Sequence, residues 1–138
     1  MHVQRITVIG TGTMGNGIAG QAALTGFDVV LYDIDAERVA AAMTQIERTY
    51  QKGIDRGKIT ADDAAAGRAR LSQSADLIDA VREADLVIEA VPERMSLKQE
   101  IFSTLERETQ AHTILATNTS SLSISEIASA TGCADRVV

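Results

Sequence analysis

The chain has 138 residues, 45% hydrophobic and 23% charged, a balance typical of one globular domain. Its formal net charge of −6 argues against nucleic acid as the main partner, because such a partner needs a basic face. A single cysteine, Cys133, excludes an internal disulfide, and no apolar run reaches the roughly 20 residues of a membrane helix. We therefore expect a cytoplasmic protein with no membrane segment.

The first elements of the chain are two short β-branched stretches that flank a helix of small residues. Arg5–Ile9 and Asp28–Tyr32 are predicted to be strands. Residues 14–25 between them predict a helix, and Gly26 is placed to end it.

An Ala-rich segment follows the second predicted strand. A helix is expected over residues 36–50, and Gly53 and Gly57 are expected to break it. Thr60 is placed to cap another helix, with Asp63 three positions later completing a weaker form of the capping box. Together these segments predict a helical hairpin inserted after the second strand.

Strands and helices continue to alternate through the second half of the chain. This alternation predicts a mostly parallel sheet with helices on both faces. The predicted elements are a strand at 69–74, a helix at 77–84, a buried strand at 85–91 ended by Pro92, a helix at 96–109, a strand at 113–116, a helix at 123–130 and the start of a further strand at 136–138.

The turn after the first strand has the sequence Gly-Thr-Gly-Thr-Met-Gly, residues 10–15. A strand precedes it, a helix follows it, and Asp33 ends the next strand at a spacing close to the expected 20 residues or so. In this context Gly10 permits the tight turn, Gly12 lets a diphosphate approach the backbone, and Gly15 lets the helix pack on the strand. The pattern predicts a Rossmann-like, doubly wound α/β fold.

The same turn predicts the cofactor. Phosphates should bind at the helix N-terminus, around the backbone of Gly12, Thr13 and Met14. The Asp33 carboxylate would accept both ribose hydroxyls and repel a 2′-phosphate, which favours NAD over NADP. The alternative is a glycine turn that only lets a helix pack.

Three stretches carry a more specific resemblance. They are residues 10–19, Ile-Glu-Ala-Val-Pro-Glu-Arg at 88–94 and Thr-Asn-Thr-Ser-Ser-Leu at 117–122. Together with Leu-Tyr-Asp at 31–33, they resemble the N-terminal NAD-binding domain of the 3-hydroxyacyl-CoA dehydrogenases, over essentially the whole chain. The Asn-Thr-Ser-Ser segment is the most specific, because the related lambda-crystallin branch lacks it.

The resemblance implies roles for four residues. Glu93 and Lys98 would lie near the nicotinamide ribose, Ser120 would hydrogen-bond the substrate hydroxyl, and Asn118 would shape that pocket. The alternatives are that Glu93 is a helix N-terminal charge, that Lys98 is a solvated helix residue, and that the serine pair forms a turn or a cap.

Residues 48–70 carry six basic and three acidic side chains in an otherwise acidic chain. The resemblance places this hairpin near coenzyme A, whose phosphates require positive charge. Lys58 is the first candidate for a phosphate contact, followed by Lys52 and Arg56. The alternative is a solvated helix face. No Cys/His spacing predicts a metal site.

The resemblance also implies an activity. It is the oxidation of (S)-3-hydroxyacyl-CoA to 3-oxoacyl-CoA by hydride transfer to NAD, as in β-oxidation. The family's catalytic His would lie shortly beyond Asp-Arg-Val-Val at 135–138, and its helical C-terminal domain would form a homodimer. We therefore expect residues 1–138 to be a C-terminally incomplete NAD-binding domain that binds NAD without turning over substrate.

Two other functions remain open from the sequence. One is a dehydrogenase of a hydroxy acid that is not linked to coenzyme A. The other is a non-catalytic NAD-binding protein of the lambda-crystallin type.

Overall fold

The carboxyl ends of five parallel strands lie along one edge of a single sheet. The computed structural model describes residues 2–138. The strands are β1 (Arg5–Ile9), β2 (Asp28–Tyr32), β3 (Leu71–Ser74), β4 (Leu86–Glu89) and β5 (Ile114–Thr117). Their order is β3-β2-β1-β4-β5, and every pairing is parallel. The chain changes direction across the sheet between β1 and β4, which is where doubly wound sheets bind ligands.

Helices cover both faces of this sheet. Over the described residues they are α1 (Thr13–Thr25), α2 (Ala36–Asp55), α3 (Ala61–Arg70), α4 (Leu77–Val81), α5 (Met95–Glu108) and α6 (Ile124–Ala128). Val8 and Leu31 pack under α1 to α3, whereas Val87 and Leu115 pack under α4 to α6. All four side chains are fully buried, so each face has its own aliphatic core. The Rossmann-like fold predicted from the sequence is confirmed.

The helical hairpin is confirmed, but the prediction that Gly53 breaks its first helix is wrong. α2 continues through Gly53, where a Cβ would lie 3.0 Å from Ile59 Cγ1. The missing side chain therefore makes room for Ile59 instead of ending the helix. The chain reverses at Gly57, whose φ of +69° suits glycine. Thr60 and Asp63 then form the predicted reciprocal capping box at the start of α3.

Tyr50 anchors the hairpin to α1. Its side chain is buried, and its hydroxyl donates to the Gly20 carbonyl oxygen at 2.6 Å. Gly67 lies against the same ring, at a distance that leaves little room for a larger residue. Residues 51–60 extend beyond this anchor and form the exposed tip of the hairpin.

Several element boundaries differ from those predicted. β4 ends at Glu89, before Pro92 is reached, and Arg136 belongs to a 3-10 turn at Ala134–Arg136. Of the further strand predicted at 136–138, the structure shows one isolated parallel bridge, between Val137 and Leu115 of β5. None of the helices over residues 2–138 has the length and hydropathy needed to span a bilayer.

Candidate functional site

The turn between β1 and α1 is packed so closely that two of its glycines have no room for a side chain. Gly10 has a φ of +106°, and a Cβ there would lie 2.5 Å from the Ala90 carbonyl oxygen. A Cβ on Gly15 would lie 2.0 Å from the Gly10 carbonyl oxygen. Gly10 N also donates to the Tyr32 carbonyl oxygen at 2.8 Å, which ties the turn to the end of β2.

Gly12, in contrast, has free space around the position of a side chain. It is the N-cap of α1, and apart from its own chain neighbours no described atom lies within 4 Å of the position that its Cβ would take. Protein packing therefore does not require glycine here. The space that a Cβ would enter lies at the helix N-terminus, beside Thr13 and the exposed Met14. Free backbone N–H groups and the helix dipole make such a position attractive to a phosphate.

Asp33 follows β2 and is held against the glycine turn by Thr11. Its Oδ2 accepts hydrogen bonds from Thr11 Oγ1 at 2.8 Å and from Thr11 N at 3.2 Å. Its Oδ1 accepts from Asp35 N at 3.2 Å. These bonds fix the carboxylate at the same edge of the sheet as the open space at Gly12, which is the arrangement that a dinucleotide requires.

A second group of candidate site residues lies at the ends of β4 and β5, and its centre is a buried ion pair. Lys98 of α5 and Glu89 of β4 are both fully buried, with Lys98 Nζ 2.5 Å from Glu89 Oε2. Lys98 Nζ is also 3.1 Å from Glu93 Oε1, and the Glu93 side chain is 41% exposed. The alternative that Lys98 is a solvated helix residue is therefore wrong.

The remaining acceptors of Glu89 are satisfied by its neighbours. Thr117 Oγ1 donates to Glu89 Oε1 at 2.6 Å, and Val91 N donates to Glu89 Oε2 at 2.8 Å. Such bonds are needed because a buried charge without full pairing costs several kcal/mol. They also join the ends of β4 and β5 through one carboxylate.

Glu93 binds the loop after β5 on both sides of Ser120. Its Oε2 accepts from Thr119 Oγ1 at 2.6 Å and from Ser121 Oγ at 2.8 Å. These hydroxyl groups, together with Lys98, lower the pKa of Glu93 to about 2, so the carboxylate is charged at neutral pH. Ser120 lies between the two donors and is exposed.

The structure thus places most of the predicted site residues at one edge of the sheet. Asn118 is also there, exposed, with its backbone N–H donating to the Glu89 carbonyl oxygen at 2.8 Å. The glycine turn and Asp33 follow β1 and β2, whereas Glu93, Asn118 and Ser120 follow β4 and β5. The two groups lie on either side of the change in chain direction between β1 and β4.

Sequence reasoning missed several residues of this site. Glu89 has the clearest signal, since it is an acid inside an apolar strand and a buried charge needs a partner. Thr11, Thr117, Thr119 and Ser121 have no such signal, because hydroxyl residues are common in turns.

The three predicted coenzyme A contacts lie apart from this edge cluster. Lys52, Arg56 and Lys58 are exposed at the tip of the hairpin. Among the described residues, their side chains form no hydrogen bond or ion pair. Residues 2–138 also contain no group of three or more potential metal ligands.

A comparison with models of protein families identifies the family of this chain. The family described as "3-hydroxyacyl-CoA dehydrogenase, NAD binding domain" matches residues 5–138. The chain belongs to the 3-hydroxyacyl-CoA dehydrogenase family. NAD is the cofactor of this family's domain, and the open space at Gly12 and the fixed Asp33 carboxylate fit its diphosphate and its adenosine ribose.

Similar proteins match nearly the whole chain. A probable 3-hydroxybutyryl-CoA dehydrogenase of Bacillus subtilis is 42% identical over 100% of this chain and 48% of its own length. The crystal structure of a 3-hydroxybutyryl-CoA dehydrogenase from Escherichia coli K12 has a TM-score of 0.95 at 42% identity, over 99% of this chain and 29% of that one. A diketoreductase structure has a TM-score of 0.91 at 36% identity, over 99% of this chain and 49% of that one. The chain thus spans half or less of the length of these relatives.

Gly12→Ala should weaken NAD binding without unfolding the chain. Apart from its own chain neighbours, the new methyl group meets no described atom, but it enters the space proposed for the diphosphate. We therefore expect the Kd for NAD to rise about tenfold or more. Gly15→Ala should instead lower the free energy of unfolding by about 1–3 kcal/mol, because the Gly10 carbonyl must move. Calorimetric titration and urea unfolding measure the two effects. A Gly12→Ala variant that binds NAD as well as the unaltered chain would contradict this assignment.

Lys98→Met should lower the free energy of unfolding by about 3–5 kcal/mol, because it leaves the Glu89 carboxylate buried without its countercharge. Adding Glu89→Gln should restore part of the loss. Arg5→Met is the control, since it breaks the exposed Arg5–Glu83 pair and should cost less than about 1 kcal/mol. Equal losses for Lys98→Met and Arg5→Met in urea would show that burial of the pair has no energetic consequence.

Proposed function

We propose that this chain is the NAD-binding part of an enzyme that oxidises (S)-3-hydroxyacyl-CoA to 3-oxoacyl-CoA. Hydride would leave the hydroxyl-bearing carbon for the nicotinamide while a base takes the hydroxyl proton. One observation carries the proposal. The exposed Ser120 lies between the two residues that donate to Glu93, at the same sheet edge as the glycine turn and Asp33. The names of the Bacillus subtilis and Escherichia coli relatives support the substrate class.

The chain's own residues would bind and orient the reactants. The Ser120 hydroxyl would hydrogen-bond the substrate oxygen, and Asn118 would form part of the same pocket. The bonds from Thr119 and Ser121 to Glu93 fix the backbone on both sides of Ser120, so that its hydroxyl is preorganised. When bound, NAD supplies the hydride acceptor.

The base that takes the hydroxyl proton is not among the site residues described above, and we propose that another part of the full-length protein supplies it. A His is the usual base for an alcohol at neutral pH. His112 is unsuited as this base, because it lies at the opposite edge of the sheet from Ser120. It precedes β5, and its Nε2 is 3.0 Å from Oδ1 of Asp85, which precedes β4. We propose that a His shortly beyond the Asp-Arg-Val-Val segment is this base, and that a helical C-terminal domain completes the substrate pocket and forms a homodimer, as the family resemblance implies. A cytoplasmic location likewise remains a prediction.

Coenzyme A is proposed to bind along the hairpin. A groove of about 360 Å³ runs between α1 and α2, from Thr13 to Tyr50. Asn16 is one of the residues that line it, and the buried Oδ1 of Asn16 has no hydrogen-bond partner among the described residues. Such an acceptor is available to a ligand donor. Lys58 lies on the exposed tip beyond the Tyr50 anchor, where a phosphate group can approach it without displacing a protein carboxylate.

A hydroxy acid not linked to coenzyme A is the second candidate substrate. The diketoreductase relative favours it, since that protein acts on dicarbonyl compounds. The unpaired basic side chains at the hairpin tip favour coenzyme A, because a small hydroxy acid has no use for them.

Asp33 should determine the choice between NAD and NADP. We expect the chain to bind NAD at least about tenfold more tightly than NADP, because a 2′-phosphate would face the Asp33 carboxylate. Asp33→Asn keeps one acceptor for Thr11 but loses the charge, so the ratio of the two Kd values should fall toward one. Calorimetric titration measures both constants. An unaltered chain with equal affinity for NAD and NADP would refute this role.

Lys58→Glu in the whole enzyme should raise the KM for an acyl-CoA substrate by about three- to tenfold and leave the Kd for NAD unchanged. Arg107→Glu on α5 makes the same charge change away from the hairpin and should leave both constants unchanged. Steady-state kinetics with 3-hydroxybutyryl-CoA test this. If the KM stays the same in the Lys58→Glu variant, coenzyme A does not bind at the hairpin tip.

A further inference from the structure

The ion-pair cluster at the ends of β4 and β5 has an excess of negative charge. It contains two carboxylates, Glu89 and Glu93, and one ammonium group, Lys98. Glu89 and Lys98 are both fully buried and at the shorter distance, so they form a neutral pair. The excess charge therefore belongs to Glu93, which is 41% exposed. Arg94, the next residue, is exposed and forms no ion pair among the described residues.

Glu93 lies where the second half of a dinucleotide would extend. The glycine turn follows β1, and Asp33 follows β2. A dinucleotide bound across a doubly wound sheet has its two nucleosides on opposite sides of the change in chain direction. With the adenosine at β2, the nicotinamide half extends toward β4 and β5, where Glu93 is exposed. This step rests on the proposed function.

We infer that Glu93 is a specificity-determining residue that favours the oxidised cofactor, NAD⁺, over NADH. The nicotinamide ring of NAD⁺ carries a positive charge, whereas that of NADH is neutral. An uncompensated carboxylate at the nicotinamide end of the site therefore stabilises only the oxidised ring. At a separation of several ångströms and partial exposure, the expected difference is about three- to tenfold in relative affinity.

This inference also explains why the cluster contains Glu89. Without Glu89, Lys98 would be the sole partner of Glu93 and would neutralise it. The buried Glu89 carboxylate takes up the Lys98 charge at the shorter distance, so that Lys98 can fix the position of Glu93 without cancelling its charge. The hydroxyl groups of Thr119 and Ser121 fix the same carboxylate and carry no charge.

The test compares the Kd values of the chain for NAD⁺ and NADH. Glu93→Gln keeps the size of the side chain and changes the net charge of the cluster from −1 to zero. We expect the ratio Kd(NAD⁺)/Kd(NADH) to rise about three- to tenfold, equivalent to about 15–30 mV in the midpoint potential of the bound cofactor. Glu100→Gln is the control, because it removes an exposed carboxylate of α5, the helix that carries Lys98, outside the cluster. This control measures how much the ratio changes when any one negative charge is removed from this acidic chain. We expect it to leave the ratio unchanged.

The outcomes separate this role from a structural one. A ratio that rises in Glu93→Gln and not in Glu100→Gln supports the inference. Equal weakening of both cofactors, an unchanged ratio or an equal change in both variants overturns it. Circular dichroism checks folding, and Glu93→Ala replaces Glu93→Gln if the amide prevents folding. If the unaltered chain binds neither cofactor, the proposed function itself fails and the inference with it.

Discussion

Helix α1 starts so close to the ends of β1 and β4 that the chain has no room for a Cβ at Gly10 or Gly15. The nearest backbone oxygens would lie 2.5 and 2.0 Å away. This packing brings the N-terminus of α1 to the edge of the sheet, and the open space at Gly12 is what remains between them. The position of the proposed phosphate site is therefore set by a backbone contact. Thr11 extends the same constraint to Asp33, which it holds through two hydrogen bonds.

The other half of the edge is organised by charge instead of close backbone packing. Glu89 and Lys98 are fully buried, and such a pair is tolerated only when its remaining polar atoms are bonded. Thr117 and Val91 supply those bonds to Glu89, which ties together the ends of β4 and β5. Glu93 continues the network to the loop that exposes Ser120. The group of residues around the glycine turn and the group around Glu93 thus meet where β1 and β4 are neighbours.

The sequence predicted correctly those structural features that depend on residues close to one another in the chain. The glycine turn, the strands Arg5–Ile9 and Asp28–Tyr32, and the cap at Thr60 depend on residues within a few positions, and the structure confirms them. The break predicted at Gly53 was wrong because the outcome depends on Ile59, which folds back over the helix.

For the candidate site, the sequence indicated several of the residues but not the contacts between them. The resemblance to the family identified Glu93, Lys98 and Ser120, but it did not predict the bonds among them. Lys98 has the pattern of a surface helix residue, and only the folded chain shows that Glu89 lies 2.5 Å from it. Partners from separate elements leave no periodic signal in a sequence, so the network had to be found in three dimensions.

A crystal structure of the chain with bound NAD tests the central claim most directly. The account predicts the diphosphate in the open space at Gly12, the adenosine ribose hydroxyls on Asp33 and the nicotinamide toward Glu93. A dinucleotide bound in any other place, or one bound with its nicotinamide at Asp33, would contradict it.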